Sequence, residues 1–153
     1  MPVVLETEMF FATLTEVGAT PALEKTLSFN QARLRMIAEN VANIHTPGYR
    51  AKQLDVRAFQ GALRKAMDAR GSDPSKPFVV NAGSEVKTDR FGRLHVTPSI
   101  EPVENVLFHD GTNLSIERQM ADLAETGMMN QLTSRLLRGR YAGLRAAIRG
   151  TVG

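Results

Sequence analysis

Two long segments with a helical hydrophobic repeat, one towards each end of the chain, constrain the fold most strongly. In the first, apolar residues recur at alternating spacings of four and three, the pattern with which a helix packs along a partner helix. The members of this seam are Leu23, Leu27, Leu34, Ile37, Val41 and Ile44, with Asn30 as a polar interruption. Thr20 and Pro21 suit an N-cap and a first helical residue, so we expect the helix to begin there.

The second segment predicts the longest helix, from a cap at Asn113 to about Arg149, roughly 54 Å at 1.5 Å per residue. Its seam contains Ile116, Met120, Leu123, Leu137, Tyr141, Leu144 and Ile148. The middle of this seam is polar, and the apolar stripe shifts there to the neighbouring positions Met128, Leu132 and Leu136. One amphipathic helix cannot bury its stripe alone, so we expect the two long helices to pack on each other.

The stretch between these helices is short and polar. Val56, Phe59, Leu63 and Met67 predict a brief amphipathic helix, residues 71–77 a loop, and residues 78–98 a small β-hairpin with its turn at 89–92. The sequence therefore predicts a mainly α fold in which two long terminal helices form an antiparallel coiled-coil-like pair, with a small, partly β insert. Residues 1–50 and 103–153 would form the terminal helical domain, and residues 51–102 the insert.

The residue inventory argues against several classes of function. The chain has no cysteine, which excludes disulfides, zinc–thiolate sites and cysteine nucleophiles. The three histidines are far apart, and the glycines form no phosphate-binding pattern. No segment approaches the ~20 apolar residues of a membrane span, and residues 1–17 lack the cationic start of a cleaved signal peptide. We expect no catalytic residue, no metal and no cofactor.

The most informative motif lies where the first long helix should end. It consists of Asn40, Val41, Ala42, Asn43, Thr46, Pro47, Gly48 and Tyr49. Pro47 disfavours helical geometry at Thr46 and Gly48 suits a tight turn, so we expect the helix to stop at residues 46–48. The Asn and Thr side chains can satisfy free carbonyls or turn amides, and Tyr49 can anchor the strand that leaves the turn. By physical chemistry alone, a well-made helix stop explains the motif.

The same motif resembles a known signature. Asn-Val-Ala-Asn followed by Thr-Pro-Gly-Tyr is similar to the N-terminal signature of the bacterial flagellar axial proteins, and the residues around it are most similar to the proximal rod subunits of the basal body. Residues 104–121 and 136–148 extend the likeness, which covers residues 20–64 and 103–150. His45 and the segment 71–102 depart from the family pattern.

The resemblance implies a structural subunit of the flagellar rod. It implies export through the flagellar type III apparatus without a cleaved signal, from the cytoplasm to the periplasmic rod of the basal body. The implied partners are further copies of this chain, other rod subunits, the rod–export-gate adaptor and the export apparatus. No small-molecule substrate and no nucleic acid are expected. The terminal helices of this family form a coiled-coil layer on assembly.

Two roles remain open for the seam residues, namely packing within one molecule and contact with a neighbouring subunit. We favour packing within the molecule for Leu27, Leu34, Ile37, Val41, Met120, Leu123, Leu137 and Leu144, because amphipathic faces are normally buried.

A basic run follows at Arg135, Arg138, Arg140, Arg145 and Arg149. It favours a solvated or lumen-facing surface. A nucleic-acid-binding stripe is the alternative, but it lacks the interleaved aromatic residues of such binders. A soluble enzyme with a site in the insert is the third class that stays open.

Overall fold

The computed structural model describes residues 19–71, 73, 75–100 and 116–150, apart from the side chains of residues 147 and 148. It contains the helices α1 (Thr20–Ala42), α2 (Val56–Arg70) and α3 (Ile116–Arg149). The short strands are β1 (Lys52–Gln53), β2 (Val86–Thr88), β3 (Leu94–Val96) and β4 (Ser99–Ile100). They pair as two antiparallel ladders, β1 with β4 and β2 with β3. The prediction of a mainly helical protein with a small β insert is confirmed.

The ends of α1 differ from the prediction. Ala19 occupies the N-cap position and makes no side-chain cap, while Thr20 is already helical. The helix stops at Ala42, four residues before Thr46, so Ile44 lies outside it. The Asn43 amide still donates to the Glu39 carbonyl, and its side chain does so too at 2.8 Å. Beyond it the backbone bonds reach back only three residues, from Ile44 to Val41 and from Thr46 to Asn43, so the α-helical ladder ends there. The predicted cap of α3, Asn113, lies outside the described residues.

The predicted β-hairpin is present as β2 and β3, joined by residues 89–93. The Asp89 carboxylate organises its turn by accepting hydrogen bonds from the backbone amides of Phe91 at 2.9 Å and Arg93 at 2.8 Å. Gly92 adopts a φ of +76°, which few side chains tolerate. The turn is therefore fixed by its own residues.

The pairing of β1 with β4 was not predicted, because two-residue strands carry no alternation pattern. Glu85 ties this ladder to the rest of the insert. Its carboxylate accepts a hydrogen bond from the Asp55 amide at 2.9 Å and another from the Ser99 hydroxyl at 2.5 Å. Asp55 in turn caps α2 by accepting from the Ala58 amide at 2.9 Å.

One hydrophobic core joins α1 to the insert. Its largest fully buried apolar side chains are Leu23, Phe29, Ile37, Leu63, Val80 and Val86. Phe29 of α1 stacks on Phe59 of α2 with ring centroids 4.0 Å apart. The buried arc of α1 is centred on positions 22, 29 and 36, and the predicted seam lies at one edge of that arc. On that seam Leu23 and Ile37 are buried, whereas Leu27, Leu34 and Val41 are only half-buried.

Contacts between α1 and α3 occur in opposite order along the two helices. Near the start of α1, Glu24 accepts a hydrogen bond from the Tyr141 hydroxyl at 2.5 Å. In the middle, Arg33 forms an ion pair with Asp122 at 3.0 Å. At the end of α1, the Asn40 amide donates to the Gln119 side chain at 3.1 Å. All three contacts are polar.

Candidate assembly surface

Asn40 is the centre of the motif at the end of α1. Its side chain is fully buried and makes four hydrogen bonds. The amide nitrogen donates to the Lys52 carbonyl at 2.9 Å and to Gln119 at 3.1 Å. The amide oxygen accepts from the Lys52 amide at 2.9 Å and from the Tyr49 hydroxyl at 3.0 Å. One asparagine therefore joins α1, the strand that leaves the turn, and the start of α3.

The rest of the motif shapes the turn that returns the chain to Asn40. The Tyr49 amide donates to the Thr46 carbonyl at 3.1 Å, and Gly48 has a φ of +73°. Burial raises the pKa of the Tyr49 hydroxyl, and the nearby Glu39 carboxylate raises it further, so the phenol stays protonated and able to donate to Asn40. The anchoring role predicted for Tyr49 is confirmed. Sequence reasoning missed the burial of Asn40 and its bond to Gln119.

The face of α3 that contacts α1 is polar over much of its length. Gln119, Thr126 and Thr133 recur every seven residues, and they are 6%, 0% and 4% exposed. Thr133 donates to the Met129 carbonyl of its own helix at 2.7 Å. Within the described part of the chain, the Thr126 hydroxyl and the Asn130 side-chain oxygen have no hydrogen-bond partner. The buried polar groups in the middle of the interface between α1 and α3 are therefore less completely hydrogen-bonded than those at Asn40.

The loose middle of this interface also contains a cavity of about 40 Å³. Asn30, whose side-chain nitrogen has no partner among the described residues, lines it together with Phe29 and Met129. A cavity of this size has room for about one water molecule and not for a substrate.

The apolar residues of α3 lie largely on the side away from α1. The exposed members are Ile116, Met120, Leu123, Met128, Leu132, Tyr141 and Leu144. The expectation that Met120, Leu123 and Leu144 are packed within the molecule is therefore wrong. Leu136 and Leu137 do pack against the core, and the side chain of Ile148 lies outside the described part. We call this exposed set, apart from Tyr141, whose hydroxyl bonds to Glu24 of α1, the outer stripe of α3.

Polar bonds explain why α3 turns this side outward. Gln119 reaches Asn40, and Asp122 pairs with Arg33, whose guanidinium also lies 3.5 Å from Glu125. Buried charges and amides without partners cost free energy, so these bonds select the face that meets α1. The hydrophobic periodicity gave the wrong face near the start of α3, where polar residues decide the packing, whereas Leu137 and Tyr141 of the predicted seam do contact the core or α1.

Charge is distributed unevenly along α3. Glu117, Asp122 and Glu125 lie in its first third, while Arg135, Arg138, Arg145 and Arg149 are exposed in its second half. The hydrogen bond to Glu24 raises the pKa of Tyr141 near the basic end.

The described residues contain no group of three or more His, Asp or Glu side chains that could hold a metal ion. Among the described helices, none is both long and apolar enough to span a bilayer.

A long helix with apolar residues on its open side is typical of a protein that associates with a partner, because such stripes mark interaction surfaces. Comparison with known proteins specifies that class further. Residues 22–50 match the sequence model of the flagella basal body rod protein family, a family of structural proteins. This segment contains all but the first two residues of α1 and the whole Asn40–Tyr49 motif.

Curated relatives extend the match along most of the chain. The flagellar basal body rod protein FlgB of Escherichia coli strain K12 is 26% identical over 125 residues, which cover 79% of this chain and 86% of that protein. FlgB of Bacillus subtilis strain 168 is 23% identical over 134 residues, covering 87% and 95%. FlgB of Cereibacter sphaeroides is 26% identical over 129 residues, covering 81% and 88%. The resemblance to the flagellar basal-body rod proteins, and among them to FlgB, is confirmed.

Proposed function

We propose that this protein is a structural subunit of the proximal rod of the bacterial flagellar basal body, and that it is not an enzyme. The observation that carries the proposal is the outer stripe of α3 in a chain whose curated relatives are rod proteins. Burial of apolar surface stabilises association by about 25 cal/mol per Å² before the costs of ordering are subtracted. Neighbouring subunits in a helical assembly would supply that burial.

The helix pair of α1 and α3 would be the assembling unit, as an antiparallel coiled-coil-like pair. Its support is the opposite order of the Glu24–Tyr141, Arg33–Asp122 and Asn40–Gln119 contacts. The unsatisfied polar groups in its middle suit a pair that gains stability from its neighbours, because a half-satisfied interface is weak by itself. Leu144 and Tyr141 would extend the contact surface towards the end of α3.

Export and location complete the proposal. The chain would leave the cytoplasm through the flagellar type III apparatus and occupy the periplasmic rod. Its partners would be further copies, other rod subunits, the rod–export-gate adaptor and the export apparatus. The exposed arginines at 135, 138 and 145 would line a solvated surface, such as the lumen.

An epitope tag at Ser75, in the exposed loop after α2, tests this function. The tagged gene replaces the native copy, and hook–basal bodies are purified from motile cells. We expect the tag in the basal bodies, in a fraction that resists salt and mild detergent. A tag confined to the soluble cytoplasm of motile cells would contradict the rod assignment. The same tag on an unrelated cytoplasmic protein controls for carry-over.

A further inference from the structure

An open groove lies near the end of α3, beside the start of α1. Its volume is about 590 Å³, and its lining residues are Arg138, Tyr141, Leu144 and Arg145. Leu144 is 54% exposed and Tyr141 42%. The Tyr141 hydroxyl is already bonded to Glu24, so the ring and Leu144 offer the groove an apolar surface while the two arginines add positive charge. We call these four lining residues the basic groove.

The positive charge of the basic groove is not balanced within the described part of the chain. There, neither Arg138 nor Arg145 forms an ion pair. The Nε atom of Arg138 donates to the Ser134 carbonyl at 3.3 Å, which uses one of its three nitrogen atoms. Residues 126–149 contain five arginines and no Asp or Glu. The groove therefore favours a ligand that carries both apolar and acidic groups.

Residues 1–18 have this composition, and they lie outside the described part of the chain. Their charged side chains are three glutamates, at positions 6, 8 and 16, with no Lys, Arg or His among them. Their large apolar residues include Leu5, Met9, Phe10, Phe11 and Leu14. This segment of the sequence therefore complements the basic groove in both charge and polarity.

The point at which the chain enters α1 is close to the basic groove. Ala19 is 3% exposed, so this entry is packed against the protein. Glu24, five positions or ~7.5 Å further along the helix, accepts the hydrogen bond from Tyr141 of the groove. A short tether gives an effective concentration on the order of millimolar, so weak contacts are sufficient for binding within the same molecule.

We infer that the basic groove binds residues 3–17 of its own chain. The apolar side chains of this segment would cover Tyr141 and Leu144. Its glutamates would meet Arg138 and Arg145, whose guanidinium groups would stay in contact with water. The tether at Ala19 favours the segment of the same molecule over that of a second copy, because a second copy would have to bind from free solution.

This contact has a consequence for assembly that, unlike the contact itself, rests on the proposed function. Leu144 belongs to the outer stripe, so the segment and a neighbouring subunit would compete for it. Met120, Leu123 and Met128, nearer the start of α3, would remain open in the free subunit. The segment would therefore cover one end of the assembly surface until a neighbour displaces it.

Photo-crosslinking of the purified full chain tests the contact. Leu144→p-benzoylphenylalanine places the reactive group in the groove. Leu123→p-benzoylphenylalanine, at an exposed site 21 positions or ~32 Å earlier on α3, is the matched control. We expect adducts of monomer mass that join position 144 to residues 3–17, with none to that segment from position 123. Dimeric adducts with residues 3–17 of a second copy, adducts that map elsewhere, or no adducts would overturn the inference.

Charge reversal sharpens the test. Arg138→Glu with Arg145→Glu should lower the adduct yield from position 144 about fivefold, the effect of reversing exposed ion pairs. Arg64→Glu, at an exposed site of α2, should leave the yield unchanged. The yield should return when the three glutamates of the segment are also reversed, by Glu6→Arg, Glu8→Arg and Glu16→Arg. Failure of this rescue in variants with unchanged urea denaturation would overturn the inference.

The contact and the rod function fail separately. A Ser75-tagged chain found in basal bodies, together with no adducts between position 144 and residues 3–17, would leave the rod function standing and remove the contact. A tag confined to the cytoplasm, together with these adducts, would remove the rod function and leave the contact.

Discussion

The two long helices lie side by side, but they use their apolar residues differently. α1 buries Leu23, Phe29 and Ile37 in a core shared with α2 and the hairpin. α3 offers Gln119, Thr126 and Thr133 to α1 and leaves Met120 and Met128 exposed. The first helix therefore stabilises the single molecule, whereas the apolar surface of the second is available to a partner.

This difference separates folding from assembly. Substitutions on the buried arc of α1 should act on the free energy of unfolding. Substitutions on the outer stripe of α3 should leave unfolding nearly unchanged and act on association, because exposed positions contribute little to the stability of the single molecule.

Phe29→Ala should have the largest effect on stability. The ring is fully buried and stacks on Phe59, so its removal leaves a cavity in the shared core. We expect the free energy of unfolding to fall by about 3–5 kcal/mol, measured by urea denaturation. Met128→Ala, on the outer stripe, should change it by less than about 0.5 kcal/mol. Equal losses in the two variants would contradict the division between the helices.

Asn40→Ala should have the next largest effect. It removes four hydrogen bonds and leaves the Lys52 amide and carbonyl without their side-chain partner. We expect a loss of about 1–3 kcal/mol in urea denaturation, the usual cost of stranding buried polar groups. Asn43→Ala is the control, because Asn43 bonds to an exposed carbonyl and should cost less. A loss for Asn40→Ala no greater than the control's would remove Asn40 from the centre of the motif.

Thr126→Val should raise stability by about 1 kcal/mol. The Thr126 hydroxyl is buried without a partner within the described part, and valine has nearly the same shape without the polar group. Thr133→Val is the matched control seven residues on. It should not stabilise, because the Thr133 hydroxyl is already bonded at 2.7 Å. A destabilised Thr126→Val variant would show that the middle of the interface is better satisfied than the structure indicates.

The smallest effect concerns pH at the turn of the β2–β3 hairpin. The hydrogen bond from His95, with those from the Arg93 and Phe91 amides, lowers the pKa of Asp89 from 3.8 to about 2. A lowered carboxyl pKa stabilises the turn above the ordinary pKa, and this contribution disappears as the pH falls through about 2. The NMR shifts of the Phe91 and Arg93 amides should therefore titrate near pH 2 and not in Asp89→Asn. A titration midpoint near pH 3.8 would mean that the hydrogen bonds of the turn do not lower the pKa of Asp89.

Much of this fold could be predicted from the sequence. Apolar periodicity gave the three helices, and the turn residues at 89–92 gave the hairpin. A second heptad repeat at Ala22, Phe29 and Met36 was visible and could have located the buried arc of α1. The helix ends were predicted less accurately, because the backbone of α1 changes to hydrogen bonds three residues back at Ile44 and Thr46, ahead of Pro47.

The surface was harder to predict than the helices. Hydrophobic periodicity assigns an inward face to α3, but the partners of Gln119 and Asp122 lie on α1, far away in sequence. Only the three-dimensional structure shows that these polar bonds decide how α3 is turned. The same holds for Asn40: its motif was recognised, whereas its burial depends on three separate elements.

The most direct test of the division between the helices is a variant of the outer stripe, Met120→Ser with Leu123→Ser and Met128→Ser, in the native bacterium. Purified protein is first compared with the parent by urea denaturation, and hook–basal bodies are then probed for the chain. We predict nearly unchanged unfolding together with loss of the chain from basal bodies and loss of motility. Normal incorporation and motility would contradict the assignment of the outer stripe as the assembly surface.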